Sequence, residues 1–262
     1  MPLQPGIAGN VRIDGAFQLS IDADRVWFTS HLEGAIGMLD TGARGAHGER
    51  PLGTLHKYPV PKPDNTWSWW GRQVAGPASK LARFGDALYL SGWADSEVLR
   101  FDISMAAGDG CTTLTAGKNP CIDELRIPGG PIDQFQGGLV IPCAPAVRAG
   151  CTDTKLYFST ESGLIVGSDD EAGIGTIDLV SWTANWNARH GAPIPLERIT
   201  ARFIKGVPQA ANAGSATSVM GSSRRGTGPA AYAGLDIRTV DGHTTAFLAD
   251  HFRSQLVRVK LD

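Results

Sequence analysis

The sequence predicts an all-β chain assembled from repeated antiparallel sheets, and three observations lead there. Four stretches share one template, an aromatic or apolar triplet, a short polar turn and an apolar strand ending near an acid. They run from Val26-Trp27-Phe28-Thr29-Ser30 to Met38-Leu39-Asp40, from Leu88-Tyr89-Leu90-Ser91 to Arg100-Phe101-Asp102, from Leu156-Tyr157-Phe158-Ser159 to Thr176-Ile177-Asp178, and from Ala246-Phe247-Leu248-Ala249 to Arg258-Val259-Lys260. Trp27 to Asp40, Tyr89 to Asp102 and Phe247 to Lys260 are each thirteen residues apart, and such internal repetition of a two-strand unit fixes architecture before any single residue does. The second observation is composition: 33 glycines and 16 prolines with only 19% charged residues suit short strands joined by turns rather than helical bundles. The third is that Asn10-Val11-Arg12-Ile13-Asp14-Gly15 matches Glu124-Leu125-Arg126-Ile127-Pro128-Gly129 position by position in character.

Each unit extends in both directions. An apolar strand precedes the triplet at 17–21, 81–84 and 139–141. An outer strand follows the acid, beyond loops at 41–54, 103–122 and 179–195, at Leu55-His56-Lys57-Tyr58-Pro59, Glu124-Leu125-Arg126-Ile127-Pro128 and Leu196-Glu197-Arg198-Ile199-Thr200. Alternation is visible in Val98-Leu99-Arg100-Phe101 and Leu256-Val257-Arg258-Val259 and is weaker elsewhere, as in strands buried on both faces. The fourth unit stops at its third strand, and the amino-terminal match supplies a fourth. An amino-terminal strand completing the last sheet closes a ring of sheets and removes an exposed edge. The expectation is one domain over residues 1–262, a β-propeller of four blades closed by its N-terminal strand. A piece of a larger propeller, or extra blades within 206–235, are the alternatives.

Val26-Trp27-Phe28-Thr29-Ser30-His31, then Ala35-Ile36-Gly37-Met38-Leu39-Asp40 and Lys57-Tyr58-Pro59-Val60-Pro61, resemble a blade of the virginiamycin B lyase-like propellers, within the wider group of NHL-repeat and gluconolactonase-like proteins. Phe247-Leu248-Ala249-Asp250-His251 to Leu256-Val257-Arg258-Val259 resembles a second blade, and 88–102 a third. The resemblance implies the scaffold. Those families usually carry six or seven shorter blades, and no catalytic set transfers residue by residue.

Bulk charge excludes some functions. A net charge of −2 offers no case for nucleic acid or acidic membranes, and Arg224-Arg225 in a Gly/Ser-rich stretch reads as a solvated loop. No apolar run approaches the roughly 20 residues that span a bilayer. The given amino terminus shows no signal peptide, while Cys111 with Cys121 and Cys143 with Cys151 each bracket a short polar loop, where secreted proteins place local disulfides. Proximity favours those two pairings and an extracellular or periplasmic location. Four free thiols in a cytosolic protein is the competing reading.

In a propeller the connections between second and third strands open on one face, together with those between blades. That face collects the candidate chemistry. The connector 61–80 holds Trp67, Trp69, Trp70 and Arg72; the tight turns supply His31 and Glu33, Trp93 and Asp95, Glu161, and His251 with Arg253; Gln136 precedes the third triplet. Aromatic platforms beside carboxylates and amides suit sugars or planar cyclic ligands, although tryptophans wedged between blades as core explain the same pattern. His31 and His251 stand at equivalent positions. With Glu33, Glu161 or Asp250 they form a candidate base and a holder for a divalent ion such as Mg²⁺ or Ca²⁺, against a reading as repeat-derived turn histidines. Asp169-Asp170-Glu171 is a candidate calcium turn or a solvated loop. There is no G-x-S-x-G, P-loop or C-x-x-C-H, and Gly173-Ile174-Gly175 lacks the third glycine of a dinucleotide loop. Two functions follow: a binding module for a small or sugar-like ligand or a protein partner, or a metal-assisted lyase or lactone hydrolase of the resembled type.

Overall fold

The computed structural model describes residues 16–22, 24–30, 34–41, 52–61, 67–69, 72–74, 80–91, 97–107, 109–126, 135–144, 150–161, 173–189, 201–205, 215–217, 223–225, 232–250 and 255–262. They form four antiparallel sheets and two short hairpins. The first sheet runs β1 (Ala16–Asp22), β2 (Arg25–Ser30), β3 (Ala35–Thr41), β4 (Leu52–Pro59). The hairpin β5 (Trp67–Trp69), β6 (Arg72–Val74) follows. The second sheet comprises β7 (Lys80–Phe84), β8 (Ala87–Ser91), β9 (Glu97–Asp102) and β10 (Ile122–Arg126). The third comprises β11 (Phe135–Val140), β12 (Lys155–Glu161), β13 (Gly173–Asp178) and β14 (Ala201–Lys205). A hairpin of β15 (Ser215–Thr217) and β16 (Ser223–Arg225) precedes the fourth sheet of β17 (Tyr232–Val240), β18 (His243–Asp250) and β19 (Gln255–Lys260). Each sheet is a meander in which consecutive strands pair, as short local connections favour.

The repeated template is the second and third strand of each sheet. Its constant spacing reflects one shared hairpin register: Trp27 pairs with Met38, Tyr89 with Arg100 and Phe247 with Arg258, each pair eleven residues apart. Asp241-Gly242 makes the two-residue turn between β17 and β18, both at positive φ (52° and 79°), which matches the right-handed strand twist.

Side chains alternate across each second strand and so build the seams between sheets. Trp27, Ile36 and Tyr58 of the first sheet pack with Leu88, Leu90 and Phe101 of the second. Tyr89 and Val98 on the other face of the second sheet pack with Leu156, Phe158 and Ile177 of the third. Tyr157 and Ile174 then meet Ile237, Ala246 and Leu248 of the fourth. The first strands stand side by side in chain order, β1 against β7, β7 against β11 and β11 against β17. One packing device repeats: Phe28 and Phe158 lie over the cross-strand glycines Gly37 and Gly175, where an added Cβ would come 1.9 and 1.8 Å from the ring. Only glycine leaves room for the phenyl face at those two positions.

Two elements depart from the sequence expectation. The outer strand of the third sheet is β14, beyond the 196–200 stretch assigned to it, which lies outside the described residues. The connection 179–195, expected as a loop, begins with a helix, α1 (Leu179–Arg189), whose Leu179, Trp182, Asn185 and Trp186 are buried. Residues 10–14 also lie outside the described residues. Among the described residues, the fourth sheet has three strands.

Candidate functional site

The sheet array has two edges. One carries the connections from first to second and from third to fourth strands, and here the sequence builds clamps. The template acids begin this. Asp178 ends β13 and caps α1, its Oδ1 accepting from the Val180 and Ser181 amides at 2.9 and 3.0 Å. Asp102 does the same for the turn after β9, accepting from Ser104 N at 3.0 Å and Ser104 Oγ at 2.6 Å.

The helix so started lays two tryptophans, one turn apart, onto the second sheet. Trp182 Nε1 donates to Asp123 Oδ2 at 2.8 Å, and Trp186 Nε1 donates to Asp102 Oδ2 at 2.7 Å. Arg189 pairs with Asp123 through both terminal nitrogens and reaches Asn185 through Nε. Arg100 Nη1 donates to Asp102 at 3.2 Å. The Trp186 ring has Arg100 at 5.1 Å and Arg189 at 5.7 Å from its centroid, and the Trp182 ring meets Tyr89 edge-on at 5.4 Å. Two carboxylates and two guanidiniums thus balance in a buried layer. Burial pushes the Asp102 carboxyl up, but hydrogen bonds from Ser104 and Trp186 and the Arg100 guanidinium outweigh it and hold the group below the usual carboxylate range. Burial likewise raises the Tyr89 hydroxyl, against the neighbouring Arg100. This cluster joins sheets.

Both disulfides proposed from sequence form on the same edge. Cys111–Cys121, with Cα atoms 5.6 Å apart, closes a loop whose Thr115 and Lys118 pair across Ala116-Gly117, two residues at positive φ. Buried Asn119 holds that loop: its Nδ2 donates to Pro59 O at 2.9 Å and Cys111 O at 2.8 Å, and its Oδ1 accepts from Cys121 N at 3.0 Å. Cys143–Cys151, 5.7 Å between Cα atoms, closes the connection from β11 to β12. Ala144 beside it joins the packing of Leu179 and Trp182.

The other edge carries the second-to-third connections and the starts of the first strands. Here the backbone is bulged. Phe17 and Gln18 together stand opposite Thr29, and Gly137 and Gly138 opposite Ser159. A buried hydroxyl fills each bulge: Gln18 N donates to Thr29 Oγ1 at 3.3 Å and Gly138 N to Ser159 Oγ at 2.8 Å. In the fourth sheet the equivalent residue is Ala249, without a hydroxyl, and the flanking pairs Tyr232–Asp250 and Leu235–Leu248 keep the same register, with one extra residue on β17. In the second sheet the described register from Lys80 to Phe84 is regular. Gln18 Oε1 then accepts from Leu81 N of β7 at 3.0 Å, whereas a Cβ on Gly138 would lie 2.4 Å from Leu235 Cβ of β17. The starts of adjacent first strands therefore lie at one edge.

Of the sequence candidates, Gln136 and Glu161 fall on strands at this edge. Trp67 and Trp69 are on β5, where Trp69 pairs with Arg72 of β6 across Trp70-Gly71. Gln136 pairs with Thr160, and Glu161 ends β12 opposite Phe135. His31, Glu33, Trp70, Trp93, Asp95, His251 and Arg253 lie outside the described residues. Among the described residues, no group of three His, Cys, Asp or Glu side chains is placed to hold a metal ion. The Asp102–Asp123–α1 cluster and the bulge hydroxyls were not foreseen. Leu179, Trp182 and Trp186 recur at helical spacing, which is a legible signal; a bulge leaves a fainter trace in Gly137-Gly138.

No family model matches the chain, and no curated protein matches it. Among solved structures it is similar to the glutaminyl cyclase of Myxococcus xanthus, at 12% identity and a TM-score of 0.35, over 94% of this chain and 74% of that one. Likeness at that level specifies neither fold nor chemistry.

Proposed function

We propose that the chain is a β-propeller binding module that works outside the cytoplasm, a single domain with its ligand or partner surface on the bulged edge. Its four sheets are the blades, and the segment 10–14 pairs with β19 to complete the fourth. The observation that carries the reading is the contrast between edges. One is consumed by two disulfides, a docked helix and buried ion pairs, which leaves it a structural role. The other holds the starts of adjacent first strands, with Gln136 and Glu161 on its strands, and the remaining candidates are assigned to it from their order in the chain. Two disulfides support an oxidising compartment. No helix among the described residues is long and apolar enough to cross a membrane.

The test is edge-specific. Trp69→Ala and Arg253→Ala are expected to weaken ligand binding, read by calorimetry, while Leu114→Ala and Lys118→Ala at the disulfide loop leave it unchanged. Losses confined to the disulfide loop would refute the assignment. Turnover of a lactone that needs a divalent ion and disappears in both His31→Ala and His251→Ala would replace the binding module with the lyase or lactone hydrolase.

A further inference from the structure

The polar seam beneath α1 contains two buried donors without a hydrogen bond of ordinary length, the Tyr89 hydroxyl and the Arg100 Nε–H. Both residues are shut away from solvent, at 0% and 3% exposed. They stand directly opposite each other on β8 and β9, so their side chains leave the same face of the second sheet. The helix closes over that face. Its Trp182 ring meets Tyr89 edge-on at 5.4 Å, and its Trp186 ring centroid lies 5.1 Å from the Arg100 guanidinium carbon. Thr183, partly buried, follows Trp182 on the helix. Its hydroxyl and the Arg100 guanidinium both stand near the Tyr89 hydroxyl, beyond the reach of a direct bond. Arg100 directs Nη1 to Asp102, which leaves Nε facing this spot without an acceptor. An unpaired buried donor loses its hydration without return, and two side by side call for a shared partner.

We propose that one internal water molecule sits among Tyr89, Arg100 and Thr183 and bridges α1 to the second sheet. Arg100 Nε–H can only donate, whereas the two hydroxyls donate or accept. A water that accepts from Arg100 and from one hydroxyl while donating to the other makes three hydrogen bonds, the usual number for an internal water. Polar groups that converge too far apart for direct contact have the spacing such a bridge fills. A halide ion would also accept from all three groups. However, Asp102 and Asp123 already balance Arg100 and Arg189 in this layer. An anion added there would be an uncompensated buried charge, so the neutral molecule wins. The two indoles wall the spot on the helix side, and Tyr89 packs with Leu156 and Phe158 on the other. Exchange of this water with bulk solvent therefore follows the lifting of α1. With the water in place, hydrogen bonding runs unbroken from Thr183 through Arg100 to Asp102 and Trp186.

The experiment uses the full chain with both disulfides intact. A crystal structure with ordered solvent is expected to show one water within about 2.7–3.2 Å of both Tyr89 Oη and Arg100 Nε. In solution, oxygen-17 relaxation dispersion counts long-held internal waters. Thr183→Val keeps the shape of the side chain and removes its hydroxyl. It is expected to shorten the residence of one such water about tenfold, the scale of one lost hydrogen bond. Thr183→Ser is expected to retain it. Tyr89→Phe repeats the comparison from the sheet side should Thr183→Val fail to fold. A lowered melting temperature with the same long-held waters in the Val and Phe variants would overturn the proposal. So would a direct bond from Tyr89 to Arg100 or Thr183 with no density between them. A bromide peak at the spot in crystals soaked in sodium bromide would replace the water with an anion.

Discussion

The seam between the first and second sheets and the seam between the second and third do the same job with opposite chemistry. In the first, Trp27, Tyr58 and Phe101 meet at centroid distances of 5.1 to 6.1 Å in an apolar layer. In the second, apolar packing ends in the Asp102, Asp123, Arg100 and Arg189 cluster capped by Trp182 and Trp186. An apolar seam tolerates small shifts of one sheet over another. A seam closed by indole-to-carboxylate hydrogen bonds and a two-point guanidinium pair has one geometry, because every misplacement leaves a buried polar group unsatisfied.

The largest expected effect falls on the second seam, where Phe158 of the third sheet lies over Gly175. Gly175→Ala pushes a methyl group into the Phe158 ring and should cost about 3 kcal/mol or more, read from urea unfolding. Asp123→Ala should cost about 3 kcal/mol, since it strands the Arg189 guanidinium and the Trp182 indole N–H, each largely buried. A cost within about 0.5 kcal/mol of zero would mean the polar seam is held by its apolar part, and the contrast would fail. Reduction of both disulfides should remove about 2–3 kcal/mol per bridge on a chain-entropy account, given sequence separations of 10 and 8, while leaving the β signal in far-ultraviolet circular dichroism. Collapse of that signal would make the bridges part of the core.

Acid separates the seams further. Asp102 titrates below its unfolded value, so its contribution is present above the usual carboxylate pKa and is lost as pH falls through the folded one. Amide protection in α1 should fall at pH 3 before protection in β2 and β8 does. Simultaneous loss would remove the distinction. The smallest effect belongs to the exposed pair Arg238–Asp236 at 2.7 Å, where Asp236→Ala should change stability by less than about 0.5 kcal/mol.

Much of the sheet array was legible because the template carries its own register. The triplets and their partner strands lie within β2 and β3, β8 and β9, β12 and β13, and β18 and β19, since two-residue alternation and tight turns are local properties. The outer strand of the third sheet was not legible. Apolar and polar residues mix through 196–205, and only pairing, with Ile174 opposite Ile204, selects the second half. The helix was missed although Leu179, Trp182 and Trp186 mark one face, because the polar residues between them read as loop. Of the candidate site, Gln136 and Glu161 fall on strands at the bulged edge, whereas the bulge itself, which recurs opposite Thr29, Ser159 and Ala249 alike, is visible only in the strand pairing.

The central claim is that the clamped edge holds the sheets and the bulged edge receives the ligand. Calorimetry of ligand binding to Trp69→Ala and Arg253→Ala beside Leu114→Ala and Lys118→Ala addresses it directly. The account predicts weakened binding in the first two and unchanged binding in the others. Losses confined to the loop closed by Cys111 and Cys121 would contradict it.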